Sequence, residues 1–478
     1  MLRSYDSGGF YDELLGANDA HTEATAAIRE RLARFDIADL RRRSKDAERQ
    51  FQNLGITFLI LSASEAVDRT LPFDVLPRII TTAEWEKLNA GVVQRVTALN
   101  LFLHDIYHAQ KALKDGIVPA ELVLGNDNFV ERMKGVEVPF GNYVNILGVD
   151  LVRDGDGVFR VLEDNCRVPS GVSYVVENRH MMRRAFPDLM DGLQVRSVSH
   201  YGAKLLEAMS EIAPADDPQV VLLSPGTYNS AYFEHVFLAR EMGVPLVEGG
   251  DLLVEDDRVY MRTTQGLVRV DAIYRRLGDD FLDPRAFRPD SLLGVPGLIE
   301  AYAKGNVALA NAVGTGVADD KAVYAYMPRL IRYYLDQDAI LPNVPTHICR
   351  EKEGLGHTLD HLAELVVKPV GESGGYGITI GPRASKAELK ACREALVKDP
   401  ANYISQPMVP LSVCPTLTRG GIEPRHVDLR PFAITGRDTW VLPGGLTRVA
   451  MRKGSLIVNS SQGGGSKDTW VLGSETPS

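Results

Sequence analysis

A chain of 478 residues, 45% hydrophobic and 24% charged, is longer than one hydrophobic core supports and too apolar for wholesale disorder, so two or three packed subdomains are expected. Its formal charge of -10 and pI near 5.6 argue against a sequence-wide grip on nucleic acid or an anionic membrane, and any phosphate must be held locally. No run approaches the roughly 20 apolar residues of a membrane span, the first residues lack an apolar signal core, and Cys166, Cys349, Cys392 and Cys414 form no CxxC pair. A cytoplasmic, reducing compartment and no zinc knuckle are expected.

From about Ala20 to Phe51 the spacing of Ile28, Leu32, Phe35, Ile37 and Leu40 predicts an amphipathic helical cap. The basic run Arg41, Arg42, Arg43 and Lys45, set among Asp39, Asp46 and Glu48, reads as a solvated helix face. A second helix is predicted from Thr82 to Gln110, with Leu88, Val92, Val96, Leu99, Leu103 and Ile106 on its packed side. Asn145 to Asn165 alternates as two strands joined by the turn Asp154-Gly155-Asp156-Gly157, a strong hairpin signal. After a helix near Leu193 to Ile212, residues 220–249 read as strand, loop, helix and strand, the βαβ pattern of a Rossmann-like half. A short strand then ends in Arg275 and Arg276, an aromatic helix runs from Val323 to Leu335 behind Lys321, and the C-terminal third is β-rich up to a frayed tail at 473–478.

The segment Lys368-Pro369-Val370-Gly371-Glu372-Ser373-Gly374-Gly375-Tyr376-Gly377 follows an apolar strand. Glycines let backbone amides approach anionic oxygens and the lysine supplies charge, which suits phosphate. A plain glycine-rich hairpin is the bland reading, but a solvated lysine rarely ends a buried run. The formal GxSxG match around Ser373 is a decoy, because a nucleophile elbow needs a helix after the serine and an Ile-Thr-Ile strand follows here. The late run Gly463-Gly464-Gly465-Ser466-Lys467 lacks the ending of a Walker A loop.

A second constellation is Asp150 on the first hairpin strand with Glu163 and Asn165 on the second. Pairing brings them together, and the i, i+2 spacing points Glu163 and Asn165 to one face, leaving Asp164 on the other. Hard oxygen ligands on one face suit Mg²⁺ shared with substrate phosphates. A polar strand face in water explains this segment alone equally well.

Together these residues resemble the circularly permuted ATP-grasp ligases, a bacterial group related to glutathionylspermidine synthetase and eukaryotic-type glutathione synthetase, and the resemblance spans most of the chain. In that family an acidic residue and an E-x-N pair precede the nucleotide lysines, as Asp150 and Glu163-Asp164-Asn165 do here. The resemblance implies Lys321 and Lys368 as nucleotide lysines, Glu372 as a further magnesium ligand and Gln406 as the adenine-facing hinge. It also implies Arg448 as a late catalytic arginine and residues 462–467, with Gly464 and Lys467, as a flexible flap. Arg167, Ser170-Gly171, Arg275, Arg276 and Arg430 are candidate contacts to an anionic phosphate or carboxylate, since arginine binds such groups bidentately. A structural salt bridge explains any one of these arginines as well.

The implied fold is mixed α/β: a circularly permuted ATP-grasp core with a Rossmann-like pre-ATP-grasp subdomain and a helical N-terminal region. The expected division is a helical region over 1–110, the first part of the core with its metal hairpin over 111–215, the Rossmann-like subdomain over 216–305 and the nucleotide-binding remainder over 306–478. The implied cofactors are ATP and Mg²⁺, and the implied partners are a small-molecule or peptide carboxylate and an amine, with neither nucleic acid nor membrane; nothing in the sequence sets an oligomeric state. The expected reaction joins the two substrates as an amide through an acylphosphate. A phosphotransferase using the same nucleotide site, or a non-catalytic nucleotide-binding module, is the alternative.

Overall fold

The computed structural model describes residues 5–15, 19–61, 66–370, 377–456, 458 and 463–473. Its largest element is a nine-stranded sheet. The order along its main path is Thr439–Val441, Phe432–Thr435, Ile146–Arg153, Gly421–Arg430, Leu446–Val449, Gly465–Val471 and Phe73–Ile80. Phe159–Asn165 pairs with Ile146–Arg153, and Val413–Thr418 with Gly421–Arg430. Only Gly465–Val471 against Phe73–Ile80 runs parallel; the other pairings are antiparallel. Ile146–Arg153 is buried along its whole length, which fits its near-continuous apolar run.

The expected helix over 20–51 is broken in two, Asp19–Leu32 and Ile37–Asn53. Asp36 causes the break, since its carboxylate accepts from Asp39 N at 2.6 Å as an N-cap. Within the basic run Arg42 is exposed, but Arg43 docks on Asp188 and lies over the rings of Phe35 and Phe186. The second helix runs Thr82–Tyr107, opened by a capping box between Thr81 and Glu84. Its apolar face, Trp85, Leu88, Val92, Val96, Leu99, Leu103 and Ile106, is buried in the main core. The region 1–110 is therefore largely helical, yet it also supplies Phe73–Ile80 to the central sheet.

The Rossmann-like unit is a four-stranded parallel sheet in the order Ala308–Ala310, Ala272–Arg275, Val220–Leu223, Leu246–Val247. Helices Tyr201–Ile212 and Tyr232–Met242 pack against it. Its last strand lies beyond the expected boundary at 305, so the sheet extends into the following segment. A three-stranded meander, Leu252–Glu255, Arg258–Thr263 and Gly266–Val270, is inserted before the third of these strands in sequence.

Residues 347–407 carry a separate antiparallel sheet in the order His347–Ile348, Tyr403–Pro407, Leu365–Pro369, Thr379–Ile380. Cys349, Leu362, Val367, Cys392 and Leu396 form a small core of its own beneath it. All four cysteines are buried and unpaired. No helix among the described residues is long and apolar enough to cross a membrane.

Candidate active site

The first half of the site lies on one face of the large sheet. Hairpin pairing sets Gly148 opposite Asn165 and Asp150 opposite Glu163, with a register shift just after Asp150; bulges of this kind re-aim neighbouring side chains. Gly421–Arg430 adds Asp428 and Arg430, and Leu446–Val449 sets Arg448 opposite Asp428. Asp164, on the other face, is taken up by Arg95 at 2.6 and 2.7 Å.

Asp150 is buried at the centre of this row. Arg430 donates to it from Nε at 2.5 Å and Nη2 at 2.9 Å, Arg448 from Nη2 at 2.7 Å, and Asn165 Nδ2 lies 3.4 Å away. Burial pushes the Asp150 carboxyl up, but the two guanidiniums more than reverse this and hold it well below the usual carboxylate range. Guanidinium donors engage both oxygens of Asp150, the residue expected to ligate a metal, so that in this structure it anchors two arginines. Arg448 also grips Asp428, with Nε 3.0 Å from each carboxylate oxygen, while its Nη1 makes no hydrogen bond among the described residues.

The second half is carried by the small sheet. Lys368, on Leu365–Pro369, donates from Nζ to Gln406 Oε1 at 2.7 Å on the neighbouring strand, and Gln406 Nε2 donates to Thr346 Oγ1 at 2.9 Å. Among the described residues no carboxylate lies within ion-pair distance of Lys368. Burial lowers its pKa to about 8, against the opposing pull of Glu163, while Lys321 lowers it further and Asp150 raises it. Lys321 opens the helix Lys321–Ala325, capped by Asp320, and its Nζ stands 3.9 Å from Glu163.

Glu163 therefore sits where the halves meet. Its pKa is raised by burial and by the charge of Asp150, with Lys321, Arg430 and Lys368 acting in the opposite direction. A carboxylate so placed, beside an Asn165 amide whose nitrogen is tied to Gly148 O at 3.1 Å, suits a hard divalent ion that would favour its charged form. Glu372 lies outside the described residues, as do Gly374, Gly375 and Tyr376. Among the described residues no three His, Cys, Asp or Glu side chains form a metal-binding group.

Other expected residues take different places. Arg167 donates from Nε to Asp319 at 2.6 Å and so braces the segment leading into Lys321. Gly377, at φ +70°, folds back over the lysine strand, and a Cβ there would come 2.9 Å from Pro369 Cγ. Arg275 is fully buried, bonded to the carbonyls of Asn311, Leu277 and Ala312, and Arg276 is paired with Glu234, so neither is free to contact an anion. The flap expected over 462–467 is corrected in its second half. Gly465–Val471 is a buried strand and Lys467 an interior residue, ion-paired with Asp74 and donating to Pro415 O at 2.8 Å. Gly464 is buried just ahead of that strand. Asp319 and Thr346 went unnoticed in the sequence; the Asp319-Asp320 pair before Lys321 was the available signal for the first.

A charged hairpin, a lysine-bearing antiparallel sheet facing it and a Rossmann-like parallel sheet in the same chain define the ATP-grasp class. The chain belongs to the circularly permuted ATP-grasp type 2 family, whose model matches residues 77–450, and is an ATP-grasp ligase. It is 52% identical over 100% of both chains to an uncharacterised protein of Synechocystis sp.. A Mycobacterium tuberculosis protein, also uncharacterised, is 51% identical over 97% of this chain and 84% of its own length. A Frankia casuarinae protein provisionally named glutamate–cysteine ligase 2-2 is 44% identical over 98% of this chain, which spans 54% of that protein. Among solved structures, the apo form of a glutathione synthetase-like effector from Globodera pallida superposes with a TM-score of 0.58 at 11% identity, covering 92% of this chain and 98% of that one. At that identity the likeness concerns the fold alone.

Proposed function

We propose that the protein activates a carboxylate with ATP and joins it to an amine as an amide, through an acylphosphate and with release of ADP and phosphate. The observation that carries this reading is Lys368. It is a half-buried cation bonded to a neutral amide, within electrostatic reach of Glu163 and Asp150 on a hairpin some two hundred residues earlier in the chain. Among the described residues this ammonium has no carboxylate within ion-pair distance, and a bound phosphate would supply the counter-charge.

In this reading Lys368 and Lys321 hold phosphate oxygens, and Glu163, Asn165 and Glu372 would hold Mg²⁺, which when bound would supply positive charge against the phosphates. Gln406 fixes the Lys368 ammonium and lies toward the adenine. Arg448, braced by Asp428 and Asp150, offers Nη1 to the reacting oxygens. The γ-phosphoryl passes to a carboxylate oxygen; the amine nitrogen then attacks the acyl carbon, phosphate leaves and the nitrogen loses a proton. Positioning and electrostatics supply the rate. The provisional name of the Frankia relative makes amino acids the first acids and amines to try.

The test is a screen of ADP release from Mg-ATP against amino acids, peptides and polyamines, with Lys368→Ala and Glu163→Ala alongside. ADP release that needs both an acid and an amine, yields an amide product and is lost in both folded variants is the expected result. Turnover in either variant equal to the parent's removes that residue from the mechanism.

A further inference from the structure

Between the Rossmann-like unit and the site runs a buried connection that the ligase reading does not use. Glu234, on the helix Tyr232–Met242, is 1% exposed. Its Oε2 accepts from Gly171 N at 2.7 Å, Ser173 N at 3.1 Å and Ser173 Oγ at 2.9 Å, and its Oε1 accepts from Arg276 Nη2 at 2.8 Å. Gly171 and Ser173 open the helix Val172–Ala185, so the orphan donors of that helix are satisfied by a side chain from another layer. Arg276 completes the grip, donating to Pro169 O at 2.7 Å and Ser170 Oγ at 2.7 Å.

The turn held in this way is in contact with the site. Ser170 O accepts from Arg430 Nη1 at 3.1 Å, the same guanidinium that clamps Asp150. The stem of Arg430 is confined between this turn and the hairpin: a Cβ on Gly148 would lie 3.2 Å from Pro169 Cβ and 3.3 Å from Arg430 Cδ. At Gly171, φ is +113° and a Cβ would come 2.7 Å from Leu446 Cδ2, on the strand that carries Arg448. A shift of the turn therefore moves Arg430 or Leu446.

We propose that Glu234 is a positioning residue of the ligase site, fixing the Pro169–Gly171 turn so that Ser170 O orients Arg430 against Asp150. The inference rests on the ligase reading above. It extends the site to a residue of the Rossmann-like sheet layer that touches neither nucleotide nor metal.

Replacing Glu234 alone would strand the buried Arg276 charge and strongly destabilise the fold, so the test compares two charge-free pairs. Glu234→Gln with Arg276→Met keeps a carbonyl oxygen for Gly171 and Ser173; Glu234→Leu with Arg276→Met removes it. Amide hydrogen exchange over 168–174 is read together with ADP release, using the best acid and amine from the screen, and with the Kd of Mg-ATP. The leucine pair is expected to exchange at least tenfold faster at 171 and 173 and to turn over at least tenfold more slowly than the glutamine pair. Mg-ATP affinity in the two should agree within twofold. Equal turnover in the two pairs, or a nucleotide affinity that falls in step with turnover, overturns the proposal. Should the parent release no ADP with any substrate, the ligase reading is what fails; equal exchange in the two pairs would then still refute the hold on the turn.

Discussion

The two halves of the site treat charge in opposite ways. On the large sheet each charge meets its opposite: Asp150 takes two arginines that lie 280 and 298 residues away in sequence, and Arg448 takes two aspartates. On the small sheet Lys368 meets, among the described residues, the neutral oxygen of Gln406 and no carboxylate within ion-pair distance, and burial lowers its pKa to about 8. The first half is closed, its charges stabilising one another and fixing geometry before any ligand arrives. The second is open in that it leaves Lys368 without an ion-pair partner among the described residues, and in the proposed function that charge is where phosphate binds. In that reading preorganisation and ligand affinity fall to different sheets.

The largest expected effect breaks the closed half. Asp150→Ala leaves Arg430 and Arg448 buried without their shared carboxylate, and loss of one partner from a buried ionic cluster costs about 3–5 kcal/mol. Urea unfolding should show a midpoint lowered by that free energy divided by the m-value, with the m-value itself unchanged. Lys368→Met should do the reverse in the open half. Stability should be unchanged or higher, because a desolvated ammonium is replaced by an apolar chain of similar length. Losing a charged hydrogen bond to phosphate is worth about 1.5–3 kcal/mol, so the Kd of Mg-ATP, measured by calorimetry, should rise roughly 10- to 150-fold. A strongly destabilised Lys368→Met would mean that its charge is matched after all.

Much of the closed half was legible because its signals are local. The Asp154–Gly157 turn sets the hairpin, and period-2 alternation then dictates that Glu163 and Asn165 share a face while Asp164 looks away to Arg95. The clamp on Asp150 was not legible, since nothing near Asp150 announces arginines some 280 residues on. Lys467 failed for the same reason. Its glycine-rich approach suggested a mobile flap, but Asp74, 393 residues away, draws it into the interior. The inserted meander was readable and passed over: Asp256 and Asp257 both adopt positive φ, as a tight hairpin turn requires, between alternating strands. Arg275 and Arg276 looked like anion contacts because burial cannot be inferred from residue type.

A smaller effect comes from closing the open half deliberately. Gln406→Glu places a carboxylate where the amide oxygen now accepts from Lys368 at 2.7 Å. The lysine then has an internal counter-ion and its pKa rises, while the new negative charge faces the phosphates. Charge-assisted pairs are about twice as strong as neutral ones, so a loss of about 1–2 kcal/mol in Mg-ATP binding is expected, roughly 5- to 30-fold. Unchanged affinity would show that Gln406 stands apart from the nucleotide.

The smallest effect needs no substitution. Only the protonated lysine attracts phosphate, and with a folded pKa of about 8 against an ordinary 10.5, Lys368 is mostly charged at pH 7 and mostly neutral at pH 8.5. Mg-ATP affinity should therefore fall about fourfold between those values, with protons taken up on binding above pH 8 as phosphate restores the ammonium. Stability of the free protein should respond with the opposite sign. A lysine whose folded pKa is depressed binds fewer protons than its unfolded counterpart between about pH 8 and 10.5, so the penalty for burying its charge, complete below pH 8, is relieved as the pH climbs through that window. Lys368→Met removes both dependences, and the difference between its pH profiles and the parent's isolates this group from every other titration. A parent whose nucleotide affinity stays flat from pH 7 to 8.5 would place the lysine's counter-charge inside the protein and make the two halves alike.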